Sequence, residues 1–92
     1  MASPALYWSS FAVSASKSGV LTAAEQVMQK AKLTDIKVSA ADVAGRTASV
    51  HAFVAPIKIS SGHYWVVIVA AGTGAKQVRQ ALLDEFNKVT FL

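Results

Sequence analysis

The sequence predicts one α+β domain, a two-layer sandwich in which two helices lie on one face of a mainly antiparallel sheet of four or five strands. Three observations carry this reading. Ala24, Val27, Met28 and Ala31, and later Val78, Ala81, Leu82 and Phe86, recur at helical spacing. Between and around them lie segments rich in aromatic and β-branched residues, separated by Gly and Ser clusters that read as turns. Finally, 92 residues that are 53% hydrophobic and 15% charged suit a single packed core. Disordered chains are poorer in apolar residues and richer in charge, and coiled coils need far more Glu, Lys and Arg.

The first strand is read over Leu6 to Ser14 (LYWSSFAVS), with Tyr7, Ser9, Phe11 and Val13 on one face and Leu6, Trp8, Ser10 and Ala12 on the other. Thr22-Ala23-Ala24-Glu25 matches a capping box, in which the hydroxyl and the carboxylate satisfy free amides reciprocally. Helix one is therefore expected from there to about Lys32, with Ser18 as an alternative start. Ile36 and Val38 alternate with polar residues, so Asp35 to Ala44 is read as one strand, closed by a turn at Gly45-Arg46. Ala48 to Ile59 is a long apolar strand interrupted by Pro56, which cannot donate to a ladder and so marks an edge position or a bulge. Ser60-Ser61-Gly62 reads as a hairpin turn, His63 to Ala71 as the strongest strand, and Gly72-Thr73-Gly74 as its end. Helix two is expected from Ala75 to Lys88, and Val89 to Leu92 could add a short last strand. This order points to a ferredoxin-like split βαβ or a close variant with an extra strand.

Two helices cover only one face of such a sheet, and the other face of an antiparallel sheet is ordinarily polar. Here it is not. His51, Phe53, Ala55 and Ile57 alternate with Val50, Ala52 and Val54, while Trp65, Val67 and Val69 alternate with Tyr64, Val66 and Ile68. Both faces of both strands are apolar, and an exposed patch of that extent is unusual for a monomer. The candidate interface or pocket residues are Trp8, Phe53, Ile57, Tyr64, Trp65 and Val67, and a homo-oligomer is the expected state.

Other chemistry is sparse. There is no cysteine, which removes disulfides, thiolate metal sites and a cysteine nucleophile. No cofactor is implied, and neither His51 nor His63 has a partner at metal-ligand spacing. A hairpin turning near Ser61 also puts these two histidines at opposite ends. Gly72, Thr73 and Gly74, with Lys76 and Arg79, form a candidate anion-binding turn between a strand and a helix. The dinucleotide fingerprint is incomplete, because Gln77 stands where its third glycine would be. Glu25 is read as a capping residue, Asp35 as a turn former, Asp84 and Glu85 as outward-facing on helix two, and Asp42 as an acid inside a strand. No paired carboxylates and no Gly-x-Ser-x-Gly elbow are present, so the residues do not indicate an enzyme.

The net charge of +4 is dispersed over nine basic residues. That argues against a nucleic-acid partner, which needs the charge gathered in one stripe. Tyr7, Trp8, Tyr64 and Trp65 on neighbouring strands could stack bases, but core or interface packing is the commoner use of such rings. The longest apolar run, Tyr64 to Ala71, is too short for a membrane span. Met1 to Leu6 lacks the features of a secretory signal, so no membrane partner and a cytoplasmic location are expected.

Lys58-Ile59-Ser60-Ser61-Gly62, Val67-Ile68-Val69 and Gly74-Ala75 together resemble the Lys-Ile-x-Ser-Gly…Val-Ile-Val…Gly-Ala stretch of bacterial microcompartment shell proteins. Thr22-Ala23-Ala24 has a counterpart in that family's first helix, and the resemblance covers about a third of the chain. The segment Ser39 to Pro56 is longer than in that family. The resemblance implies a ferredoxin-like derivative that assembles as a hexamer. The residues themselves lead to a non-enzymatic module that self-associates through its sheet. The rival of another class is a dimer binding a small molecule, or acting on one, in an apolar pocket between sheet and helices. Its polar group would come from His51, His63, Asp42 or Tyr64.

Overall fold

The computed structural model describes residues 6–91. Its elements are β1 (Leu6–Ser14), α1 (Lys17–Lys30), β2 (Thr34–Val38), β3 (Val43–Arg46), β4 (Val50–Ser60), β5 (His63–Gly72) and α2 (Ala75–Phe86). The strands form one antiparallel sheet in the order β1-β5-β4-β3-β2. Strands β2 to β5 are a meander, and α1 carries the chain from β1 at one edge to β2 at the other. The two helices touch each other; α1 lies over β2, β3 and β4, and α2 over β1, β5 and β4.

The expected α+β class with a five-stranded antiparallel sheet and two helices is present. The element order is not the split βαββαβ, because four strands run consecutively between the helices. The extra strand arises at Ser39–Asp42, inside the segment expected to be one strand. There the Ser39 hydroxyl accepts the N–H groups of Ala41 (3.1 Å) and Asp42 (3.0 Å) and donates to Asp42 Oδ1 at 3.0 Å. The Ser39 N–H donates to the Asp42 carbonyl at 2.8 Å. A serine hydroxyl that bonds the backbone two and three residues on builds a turn, so Asp42 is a turn residue rather than a strand one.

Gly45 and Arg46, expected as a turn, lie within β3. A Cβ on Gly45 would meet Met28 Sδ at 2.9 Å, so glycine serves the close packing of α1 on the sheet. The turn comes instead at Thr47, whose N–H donates to the Val50 carbonyl at 2.9 Å and whose Oγ1 accepts the Val50 N–H at 3.1 Å.

Helix α1 starts five residues before the expected capping box. Ser16 is the N-cap, its hydroxyl accepting the Gly19 N–H at 3.0 Å. The extra turn is favourable because it places Val20 in line with Ala24, Val27 and Met28, all fully buried. The helix ends in a Schellman motif: Leu33 N–H donates to the Met28 carbonyl and Lys32 N–H to that of Gln29, both at 3.0 Å, with Lys32 at φ 64°.

The tail does not form a strand within the described residues, and Leu92 lies outside them, as do residues 1–5. Phe91 stacks on Phe86 with ring centroids 6.2 Å apart, and Val89 also packs against the core. Burying two apolar side chains beside α2 is the alternative to pairing them in the sheet.

The core comprises Val20, Ala24, Val27 and Met28 from α1, Leu82 and Phe86 from α2, and Val43, Val50, Val54, Val66 and Ile68 from the sheet. Pro56 fits the ladder phase. The Ala15 N–H bonds the Gly62 carbonyl at 3.0 Å, in register with β1 on β5. Odd-numbered residues of β1, and hence Val66 opposite Phe11, direct their main-chain groups into that pairing. Pro56, opposite Val66 on β4, therefore has its missing donor on the β3 side, where pairing has already ended at Val54.

Candidate functional site

The register of the strands places every residue of the uncovered face. One row across the sheet reads Trp8, Val69, Phe53, Ala44 and Lys37; another reads Ala12, Trp65 and Ile57. Between them lie Ser10, Val67 and Ala55, and at one end Leu6, Ala71, His51, Arg46 and Thr34. Trp8 is 65% exposed, Ile57 53%, and Phe53 and Trp65 44% each. The helices have taken the other parity: Val50, Ala52, Val54, Val66, Ile68 and Ala70 are all buried. A sheet with two apolar faces has thus buried one and left the other in water.

Of the six candidate residues, Trp8, Phe53, Ile57, Trp65 and Val67 come together on this face. Tyr64 does not. It lies on the helix side, half-buried against the core, because it is one residue out of phase with Trp65. Two further exposed apolar residues belong to this face. Leu6, 63% exposed, follows from extending the parity of Trp8. Ile59, which continues the parity of Ile57, lies beside Ala12, Ser14 and His63 in a cleft of about 290 Å³, at a register shift in β4. The charges in these rows are confined to Lys37 and Arg46, on the two shortest strands. The remaining basic residues are spread over both helices, the loops and the end of β4, so the structure gathers no cationic stripe on this face.

The candidate residues around the turn Gly72-Thr73-Gly74 do not all come together. The Arg79 guanidinium points away, with Nη1 donating to Ser9 Oγ on β1 at 2.9 Å. Lys76 is exposed. The helix N-cap is Gly74 in the left-handed region, without a side-chain cap, rather than Thr73. The glycine at 72 has a packing reason: its φ is 126°, and a Cβ there would collide with the Ser49 carbonyl oxygen. The same approach lets Ser49 Oγ donate to the Thr73 carbonyl at 2.8 Å.

The polar groups of the pocket reading are dispersed. His51 sits opposite Ala71 near one end of the β4–β5 ladder, and His63 opposite Ser14 and Ser60 at the other. His63 Nδ1 donates to the Ser61 carbonyl at 3.1 Å, a local turn contact. Asp42 is in the Ser39 turn and Tyr64 faces the helices. Asp84 accepts from Gln80 at 2.9 Å, and Glu85 pairs with Lys88 at 3.3 Å, both within α2 or just past its end. Asp35 lies in β2 at φ 52° rather than in a turn. Among the described residues no three His, Asp or Glu cluster, and no helix is long and apolar enough to cross a membrane.

The segments that resemble shell proteins map to the β4–β5 hairpin and the start of α2. Comparison with family models, curated proteins and solved structures gives no match.

Proposed function

We propose that this chain is a self-associating module and that the uncovered sheet face is the surface through which two copies meet. The observation that carries this is the set of five large apolar side chains, Leu6, Trp8, Phe53, Ile57 and Trp65, on one face at 44–65% exposure. The three rings among them leave about 350 Å² of aromatic surface in water. Burying that in both copies releases roughly 17 kcal/mol gross, to set against ~4–15 kcal/mol of lost translational and rotational freedom and the ordering of side chains at the interface.

The face is also of a suitable size. Three strands of 9 to 11 residues flanked by two of 5 and 4 cover roughly 600 Å², about three quarters of the ~800 Å² per partner of a standard interface. A second copy is the favoured occupant because two such faces match in character and bring no opposed charge clusters together. The pocket reading has no comparable support, since its polar groups are scattered and the space between sheet and helices is filled by the core.

Light scattering across a concentration series tests the proposal. The expected result is an assembly of two or more copies, with Trp65→Asp reducing the mass. A wild-type monomer at every concentration, or a folded Trp65→Asp variant of unchanged mass, would overturn it.

A further inference from the structure

The two edges of the sheet are built differently. Strand β2 has five residues, includes Asp35 and Lys37, and is irregular between Thr34 and Lys37. Shortness, charge and irregularity are devices by which sheets block pairing with another chain. Strand β1 has none of them. It runs nine residues with unbroken register to β5 and contains neither a charge nor a proline. Among the described residues no strand pairs with its outer side. The ladder phase set by Ala15 and Gly62 directs the odd residues of β1 towards β5. The N–H and C=O groups of Leu6, Trp8, Ser10, Ala12 and Ser14 therefore point outward.

Exposure points the same way. Leu6 and Trp8 on β1 are 63% and 65% exposed, whereas Phe53 and Trp65 on inner strands are 44%. Neighbouring strands already shield the flanks of the inner rings. A partner stacked on the face covers the tops of Leu6 and Trp8, but their outer flanks need a partner lying beside β1.

We infer that β1 is a second self-association site, pairing antiparallel with β1 of another copy about a two-fold axis at Ser10. Two five-stranded sheets then become one of ten strands. A second copy fits because the strand is self-complementary about its midpoint, Ser10. On the open face Leu6 falls opposite Ser14 and Trp8 opposite Ala12; on the helix face Tyr7 falls opposite Val13 and Phe11 opposite Ser9. Each of these sets a larger side chain against a smaller one, and no like charges meet within the strand pair. About ten main-chain hydrogen bonds form, two for each outward-facing pair. This site does not depend on the face-to-face reading, since one partner lies beside the sheet and the other above it. With both occupied, each copy has two partners, and the assembly closes at four when the two two-fold axes intersect.

Amide hydrogen exchange of the full chain, read residue by residue by NMR, tests the inference. The expected result is that Trp8, Ser10 and Ala12 exchange at least about 100-fold more slowly than free amides, as Ser9 and Phe11 do, and lose that protection on dilution. Outward amides that exchange freely at every concentration, beside protected Ser9 and Phe11, would overturn it. Ser10→Pro supplies a second arm, because the N–H it removes makes no bond within the chain. Its expected mass is half that of the wild type, and a folded variant of unchanged mass overturns the edge site while leaving the face reading intact. Conversely, unchanged mass for Trp65→Asp with a halved mass for Ser10→Pro overturns the face reading alone. If Ser10→Pro does not fold, the exchange measurement decides.

Discussion

Arg79 Nη1 on α2 donates to the Ser9 hydroxyl on β1 at 2.9 Å, and the Nε of the same guanidinium is buried without a partner. This contact ties the second helix to the edge strand, but it is incompletely satisfied. Removing the hydroxyl leaves a charged donor unpaired, whereas removing the guanidinium takes away donor and orphan together. Ser9→Ala is expected to cost about 1–2 kcal/mol and Arg79→Met less than about 1 kcal/mol. Urea unfolding of the two variants checks the order, and a costlier Arg79→Met would show that the guanidinium contributes more than this one bond.

Gly72 and Gly62 separate backbone strain from collision. Both have positive φ, but a Cβ on Gly72 strikes the Ser49 carbonyl oxygen while one on Gly62 meets nothing within 4 Å. Gly62→Ala is expected to cost about 1–2 kcal/mol, and Gly72→Ala about 3 kcal/mol or more. Thermal unfolding of both decides; equal costs would mean that the β4–β5 end relaxes freely around position 72.

The ends of α1 give effects of opposite sign. Ser16→Ala removes the hydroxyl that accepts the Gly19 N–H and should cost about 1 kcal/mol. Lys32→Gly relieves a lysine held at φ 64° in the Schellman motif and should gain up to about 1 kcal/mol. Thr22→Ala, in mid-helix and exposed, should change stability by less than about 0.7 kcal/mol. A large loss there instead would restore the capping box to the start of the helix.

Residues of opposite parity in the sheet should behave differently. Ile68 is fully buried and Ile57 is 53% exposed. Ile68→Ala is expected to destabilise by about 2–5 kcal/mol. Ile57→Ala should cost under about 1 kcal/mol in a Trp65→Asp background, where the face no longer pairs, and should weaken association in the wild-type background. Denaturant titration at low and high protein concentration distinguishes these contributions.

The strands and helices were legible where their patterns are local. The aromatic and β-branched run from Leu6 to Ser14, the turn at Ser61-Gly62, and the helical spacing in Ala24 to Met28 and Val78 to Phe86 each signal themselves within a few residues. The break at Ser39 was less legible, because a serine turn inside an alternating segment looks like two more strand positions. The capping box at Thr22 misled because its four residues are also acceptable helix interior. What decided the start of α1 was the burial of Val20, a long-range effect.

The apolar character of both sheet faces, the absence of cysteine and the dispersed charge follow from residue identity alone. Which face the helices cover does not, because period-two alternation of apolar residues on β4 and β5 is symmetrical between the faces. Long-range packing broke that symmetry: Val54, Val66 and Ile68 went under the helices, and Phe53, Ile57 and Trp65 were left outside. Packing also turned Arg79 from the glycine turn to Ser9, put Tyr64 on the far side from Trp65, and left β1 as an unprotected edge. Hydropathy is a property of each residue, whereas the side of a sheet that meets water depends on where distant elements pack.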